Sequence, residues 1–210
     1  MNFQTRPLSE NFGAEVLDID LTQIDTDMAE AILSTVQEHA LLLFRRQSLH
    51  DHDIYQLSAA LGPVEEPPAA KNNHGPGFKA VIYIANINSL DGTLIRGNMI
   101  DNTDGEWHSD QAYRQSPAPL STLFCVICPE SGGSTSFSST RMGYESLPQA
   151  LKDRVDNMKV LYRPGTSHGG PDIQVTHPAV LINPESGVKT LYVAPGTQGF
   201  KDLEDAESKT

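Results

Sequence analysis

The feature that most limits the fold is punctuation. From Gly62-Pro63 onward, short apolar stretches such as "KAVIYIANI", "STLFCVIC", "KVLYRP" and "VTHPAVLINPESGVKTLYVAP" alternate with segments dense in Gly, Pro, Asn and Ser, among them "PVEEPPAAKNNHGPGF", "RQSPAPL" and "PESGGSTSFSST". Apolar stretches of that length, bounded by turn residues, read as strands. The last of them contains a hairpin turning at Pro184 to Gly187. Earlier in the chain the pattern differs. "NFGAEVLDIDLTQI" alternates as a strand, and "TDMAEAILSTVQEHA" has helical period, with Thr26 as the expected cap and Met28, Ile32, Leu33 and Val36 on one face. "LLLFRRQ" reads as a buried strand, and "LHDHDIYQLSAALGP" as a helix from the polar cluster 50–53 to Gly62-Pro63. "RMGYESLPQALKDRVDNM" holds one or two further helices. The predicted class is therefore mostly β with flanking helices (α+β), a sandwich or barrel in one domain over residues 1–210.

Composition narrows the partners. A formal charge of −12 repels phosphate backbones and anionic membrane surfaces, and no Lys/Arg cluster offers a local exception, so nucleic acid is not an expected partner. The longest apolar run, "ALLLF", is far below spanning length, and "MNFQTRPLSENF" lacks the apolar core of a signal peptide; a cytoplasmic location is expected. Cys125 and Cys128 form a C-x-x-C, but within "STLFCVICPE" a strand would turn them to opposite faces, and no second ligand pair completes a zinc site.

The chemistry gathers in "EWHSDQAY", residues 106–113, which places His108 two residues before Asp110. This segment alternates as a strand, and on a strand such residues project from one face with Cα atoms about 7 Å apart, close enough to occupy neighbouring positions on one metal ion. Imidazole plus carboxylate supplies two of the three protein ligands of the facial triad in non-haem iron(II) oxygenases. Standing alone, H-x-D is also the pattern of a surface histidine beside an acid.

Its surroundings separate the two. "GAEVLDIDL", "LLLFRRQSL", "LGPVEE", "WHSDQAY", "PESGGST", "YESLP" and "THPAVLINPESGVKTLYV" follow in one order along essentially the whole chain. In that order they resemble the TauD/TfdA family, the taurine and aryloxyacetate dioxygenases that use Fe(II) and 2-oxoglutarate. The resemblance implies a double-stranded β-helix (jelly-roll) core and O2-dependent hydroxylation of a small organic acid, with oxidative decarboxylation of 2-oxoglutarate to succinate. It carries over His108 and Asp110 as metal ligands, Thr135 as a contact to a 2-oxoglutarate carboxylate, and Asn102 and Tyr113 as residues lining the substrate pocket. Either the loop 63–79 or the stretch 89–105 would cover the barrel mouth. Pro67 stands where sulfonate-using relatives place a histidine, which argues against taurine, and "NINSLDGT" is closer to the aryloxyacetate branch.

The family's third ligand is a histidine on a late strand, followed by arginines that hold the far carboxylate of 2-oxoglutarate. "GFKDLEDAESKT" begins as the acidic first turn of a helix and stops before an apolar face is laid down, so the expectation is a jelly roll incomplete at its C-terminus that lacks this histidine. The other histidines do not replace it. His177 matches a family histidine that is not a ligand, His168 and His74 lie in loops, His39 closes a helix, and His50 and His52 belong to a helix-capping cluster. The alternative is a non-catalytic truncated relative that binds a small acid or a partner chain; a homo-oligomer is compatible with either reading.

Overall fold

The computed structural model describes residues 3–66, 74–75, 77–84, 107–128, 130–162, 174–184, 186–194, 197–201 and 203. These residues fall into two compact units, the first within 1–101 and 122–132, the second within 102–121 and 133–210. Helices and small sheets alternate through both, an α+β arrangement.

In the first unit, β1 (Thr5–Pro7) pairs antiparallel with β2 (Ala14–Val16), which pairs parallel with β3 (Leu42–Phe44). The β2–β3 connection holds a 3-10 turn and α1 (Thr26–His39). α1 begins where Asp25, rather than the expected Thr26, accepts a hydrogen bond from the Met28 amide at 2.8 Å. An aspartate one residue earlier satisfies an orphan amide and adds negative charge at the helix N-terminus. α2 (Asp51–Leu61) starts at the expected polar cluster, with His50 as cap, and ends at Gly62. Leu21, Ile32 and Leu57 form the buried centre of this unit, with Met28, Leu42 and Phe44 packed around them. β3 is half-buried rather than buried, because β2 covers one edge while its side chains meet only this small cluster. α2 also packs on the hairpin of β4 (His74–Gly75) and β5 (Phe78–Ile82), through Tyr55 and His52 against Phe78.

The second unit contains α3 (Thr140–Ser146), α4 (Gln149–Val155), β6 (Lys159–Tyr162), β7 (Val175–Pro178), β8 (Val180–Ile182) and β9 (Lys189–Leu191). β6 pairs antiparallel with β7, and its other edge bonds to residues 198–201. β8 and β9 form the expected hairpin, turning through Gly187 at a φ of 69°. Only a left-handed residue closes that turn, and glycine adopts it without steric cost. Val160, Tyr162, Ala179 and Ala112 make the core, with Val160 and Ala179 fully buried.

Two expected strands are absent. Residues 107–109 are irregular and 110–113 form a turn, because Gln111 takes a left-handed φ of 54° and the amides of Ala112 and Arg114 bond back to Ser109 and Gln111. Those donors are consumed locally and cannot join a ladder. "STLFCVIC" is also irregular, with Leu123, Val126 and Ile127 exposed. Strand propensity there meets no pairing partner among the described residues, and propensity alone does not make a strand. Cys125 and Cys128 consequently lie exposed off any sheet, not on its two faces.

Candidate metal centre

The turn that replaces the predicted strand still brings the pair together. His108 Nε2 lies 3.4 Å from Asp110 Oδ1, and both side chains are well exposed, at 70% and 55%. An exposed pair of a histidine and an acid contributes little to stability. The same two atoms are spaced like neighbouring ligands: cis positions of an octahedral ion with bonds of about 2.1 Å are about 3 Å apart. As donors, one nitrogen and one carboxylate oxygen suit a first-row divalent ion such as Fe(II) or Mn(II). Among the described residues, no group of three or more His, Cys, Asp and Glu side chains gathers around one such position. The pair thus fits two coordination positions.

Two contacts orient this segment. Ser121 Oγ donates to Asp110 Oδ2 at 2.5 Å, so one carboxylate oxygen is held while the other faces His108. Ser121 lies eleven residues past Asp110 in a Pro-rich loop, and its spacing carries no motif that would single it out. On the chain's inner side, Ala112 is buried in the core of the second unit and Tyr113 packs against that core.

The remaining candidates are distributed differently. Tyr113 is half-buried at the foot of the turn, with its ring toward the cluster of Val160, Tyr162 and Ala179. Thr135 is exposed in an irregular stretch of the same unit. Asn102, His168 and Pro67, residues 67–73 and 76 of the expected loop 63–79, and all of 89–105 lie outside the described residues, and the end of 63–79 enters the β4–β5 hairpin rather than a loop. His50 and His52 are occupied at α2: the His50 amide donates to Asp53 Oδ2 at 2.8 Å, and the His52 ring meets Phe78. His177 is buried on β7 and bonds to a backbone carbonyl.

Away from this turn, a buried carboxylate is neutralised locally. Glu15 on β2 is buried between Arg6, at 2.6 Å, and Arg45, at 3.5 Å, and the Arg6 hydrogen bond holds its carboxyl below the usual glutamate value. A cleft of about 300 Å³ lined by Glu15, Asp18, Asp20, Arg45 and Arg46 belongs to this cluster and contains none of the candidate site residues. No helix among the described residues is long and apolar enough to cross a membrane.

Known proteins resemble this chain in sequence and in fold. The alkylsulfatase of Acinetobacter baylyi is 28% identical over 212 residues, an alignment covering 90% of this chain and 62% of the relative, so the chain spans less than two thirds of that relative's length. The alpha-ketoglutarate-dependent 2,4-dichlorophenoxyacetate dioxygenase of Cupriavidus pinatubonensis is also 28% identical, over 229 residues, with 100% of this chain and 79% of the relative covered. The crystal structure of AAD-2 in complex with Mn(II) and N-oxalylglycine superposes with a TM-score of 0.86 at 20% identity, covering 100% of this chain and 79% of the other, a likeness of fold. The profile described as "Taurine catabolism dioxygenase TauD, TfdA family" matches residues 4–210. On that match over nearly its whole length, the protein belongs to the TauD/TfdA family, whose members are dioxygenases dependent on Fe(II) and 2-oxoglutarate.

Proposed function

We propose that the chain is a dioxygenase domain that hydroxylates a small organic acid at the expense of 2-oxoglutarate, with His108 and Asp110 as two of the protein ligands of Fe(II). The observation that carries this reading is the 3.4 Å approach of His108 Nε2 to Asp110 Oδ1 on an exposed turn. When bound, Fe(II) with 2-oxoglutarate and O2 supplies the oxidising power to functionalise an unactivated C–H bond while 2-oxoglutarate becomes succinate. His108 presents a nitrogen lone pair, and Asp110 presents a carboxylate whose second oxygen is held by Ser121. Thr135 is assigned to a 2-oxoglutarate carboxylate, for which its hydroxyl is a suitable donor. Tyr113 and Asn102 are assigned to the substrate pocket.

The substrate class follows from the names of two relatives, an alkylsulfatase and a 2,4-dichlorophenoxyacetate dioxygenase. An alkyl sulfate and an aryloxyacetate both carry an anion on an apolar body. A small organic acid of that kind is the expected substrate.

The test is succinate formation from 2-oxoglutarate by the purified chain with Fe(II) and ascorbate, in the presence of dodecyl sulfate or 2,4-dichlorophenoxyacetate. Metal-dependent succinate that is lost in Asp110→Ala supports the reading. Succinate no higher than that of Asp110→Ala with either acid, together with acid binding by a stably folded chain, would establish the non-catalytic alternative instead.

A further inference from the structure

His177 lies within "VTHPAV", with no charged residue among its immediate sequence neighbours. On β7 the alternation of the strand turns Val175 and His177 inward, and His177 is only 6% exposed, opposite Val160 of β6. Its ring packs against Tyr162, with centroids 5.7 Å apart, and nearly perpendicular to Tyr192 at 5.4 Å. The Tyr162 hydroxyl in turn donates to the Tyr192 carbonyl at 2.9 Å, closing a rigid aromatic group.

A buried imidazole must place its polar nitrogens, and His177 Nε2 meets the backbone carbonyl of Arg114 at 2.9 Å. A carbonyl only accepts, so the proton of this bond sits on Nε2. Arg114 directly follows the turn that carries Asp110, and its own amide donates back to the Gln111 carbonyl. Two anchors therefore hold the inner side of the turn, the Ala112 methyl in the core and the Arg114 carbonyl on His177. His108 and Asp110 project from its outer side.

We infer that His177 is a positioning residue for the His108–Asp110 pair, tethering the turn through the Arg114 carbonyl; the inference rests on the metal reading of that pair. Metal donors on irregular backbone need such a support, because an untethered turn would present the two donors at cis spacing only part of the time. Supports of this kind around metal ligands are typically worth about 10- to 100-fold in affinity.

Two variants of the full chain separate tethering from core packing. His177→Phe keeps a ring between Tyr162 and Tyr192 and removes the donor, whereas His177→Gln retains a side-chain N–H that reaches toward the same carbonyl. Hydrogen exchange without metal reads the turn directly. In His177→Phe the amides of Ala112 and Arg114 should exchange about tenfold faster or more, with β6 and β9 changing much less, and His177→Gln should recover most of the protection. Mn(II) affinity, followed by the loss of the free-ion paramagnetic resonance signal, should fall about tenfold in His177→Phe and recover in His177→Gln. Equal loss of protection in β6, β9 and the turn, or an unchanged turn, overturns the inference. A loosened turn, with Mn(II) bound no better by the parent chain than by Asp110→Ala, upholds the tether and sinks the metal reading instead.

Discussion

Ser121 donates its hydroxyl to Oδ2 of Asp110 at 2.5 Å, and the opposite oxygen of the same carboxylate faces His108 Nε2 at 3.4 Å. The carboxylate is thus divided between a fixed oxygen and an available one. Ser121→Ala should leave the fold intact, since the contact is exposed, and weaken Mn(II) binding by about 10-fold, the lower range for loss of a hydrogen bond to a ligand. Isothermal titration with Mn(II) checks this. An affinity equal to that of the parent chain would show that the serine does not orient the carboxylate.

Asp156 ties α4 to the hairpin and to α3. It accepts from the Tyr144 hydroxyl at 2.8 Å and from the Lys189 ammonium, which also lies over the Tyr144 ring. The Lys189 hydrogen bond, then that of Tyr144, lowers the Asp156 carboxyl below its ordinary 3.8. Bonding to Asp156 raises Lys189 above its ordinary 10.5. A lowered acid contributes stability in full above its unfolded value and loses it as pH falls through the folded value. A raised base contributes in full below its unfolded value and loses it as pH rises through the folded one. The pair therefore stabilises throughout the span between about 3.8 and about 10.5. Asp156→Asn should lower the melting temperature at pH 7, and the gap to the parent should narrow as pH drops below 3.8. Thermal melts at pH 7 and pH 3 decide it, and a gap that does not change with pH would remove the ion pair as the cause.

Val160 is fully buried between β7 and the 198–201 segment and shares one core cluster with Ala112 of the turn that carries Asp110. Val160→Ala deletes two buried methyl groups and leaves a void, for a cost of about 2 kcal/mol. Urea unfolding should show the midpoint falling with little change in slope. A loss under about 0.5 kcal/mol would mean that the core collapses onto the missing methyls.

Asp25 is the N-cap of α1, with its carboxylate on the Met28 amide. Asp25→Ala should cost about 1 kcal/mol, and Asp25→Ser should recover most of it. Thr26→Ala, at the neighbouring position, should cost much less. Chemical unfolding of the three variants checks the order, and a larger loss for Thr26→Ala would return the cap to Thr26.

Much of the architecture was legible because its causes are local. The apolar spacing of Met28, Ile32 and Val36 specifies α1, the polar cluster 50–53 and Gly62 bound α2, and Gly187 turns the last hairpin. The 107–113 segment misled because a left-handed Gln111 converts an alternating sequence into a turn, and glutamine gives no warning of that conformation. The exposed 121–128 stretch misled because apolar, β-branched composition states a preference that only a pairing partner can realise. β1 carries no strand signal in the sequence because "TRP" is short and polar at a sheet edge.

The sequence by itself determined the helices, the hairpin turn, the family, and the side-chain types offered as metal donors, since each rests on spacing within a few residues or on motifs in fixed order. The tertiary structure alone decided how those donors are held. Ser121 finds Asp110 across eleven residues, and His177 finds the Arg114 carbonyl across sixty-three. Bonds of that span exist only after β6, β7 and the turn have packed around Val160, because a hydrogen bond needs both partners placed to within a few tenths of an ångström and nothing local in the chain sets that distance.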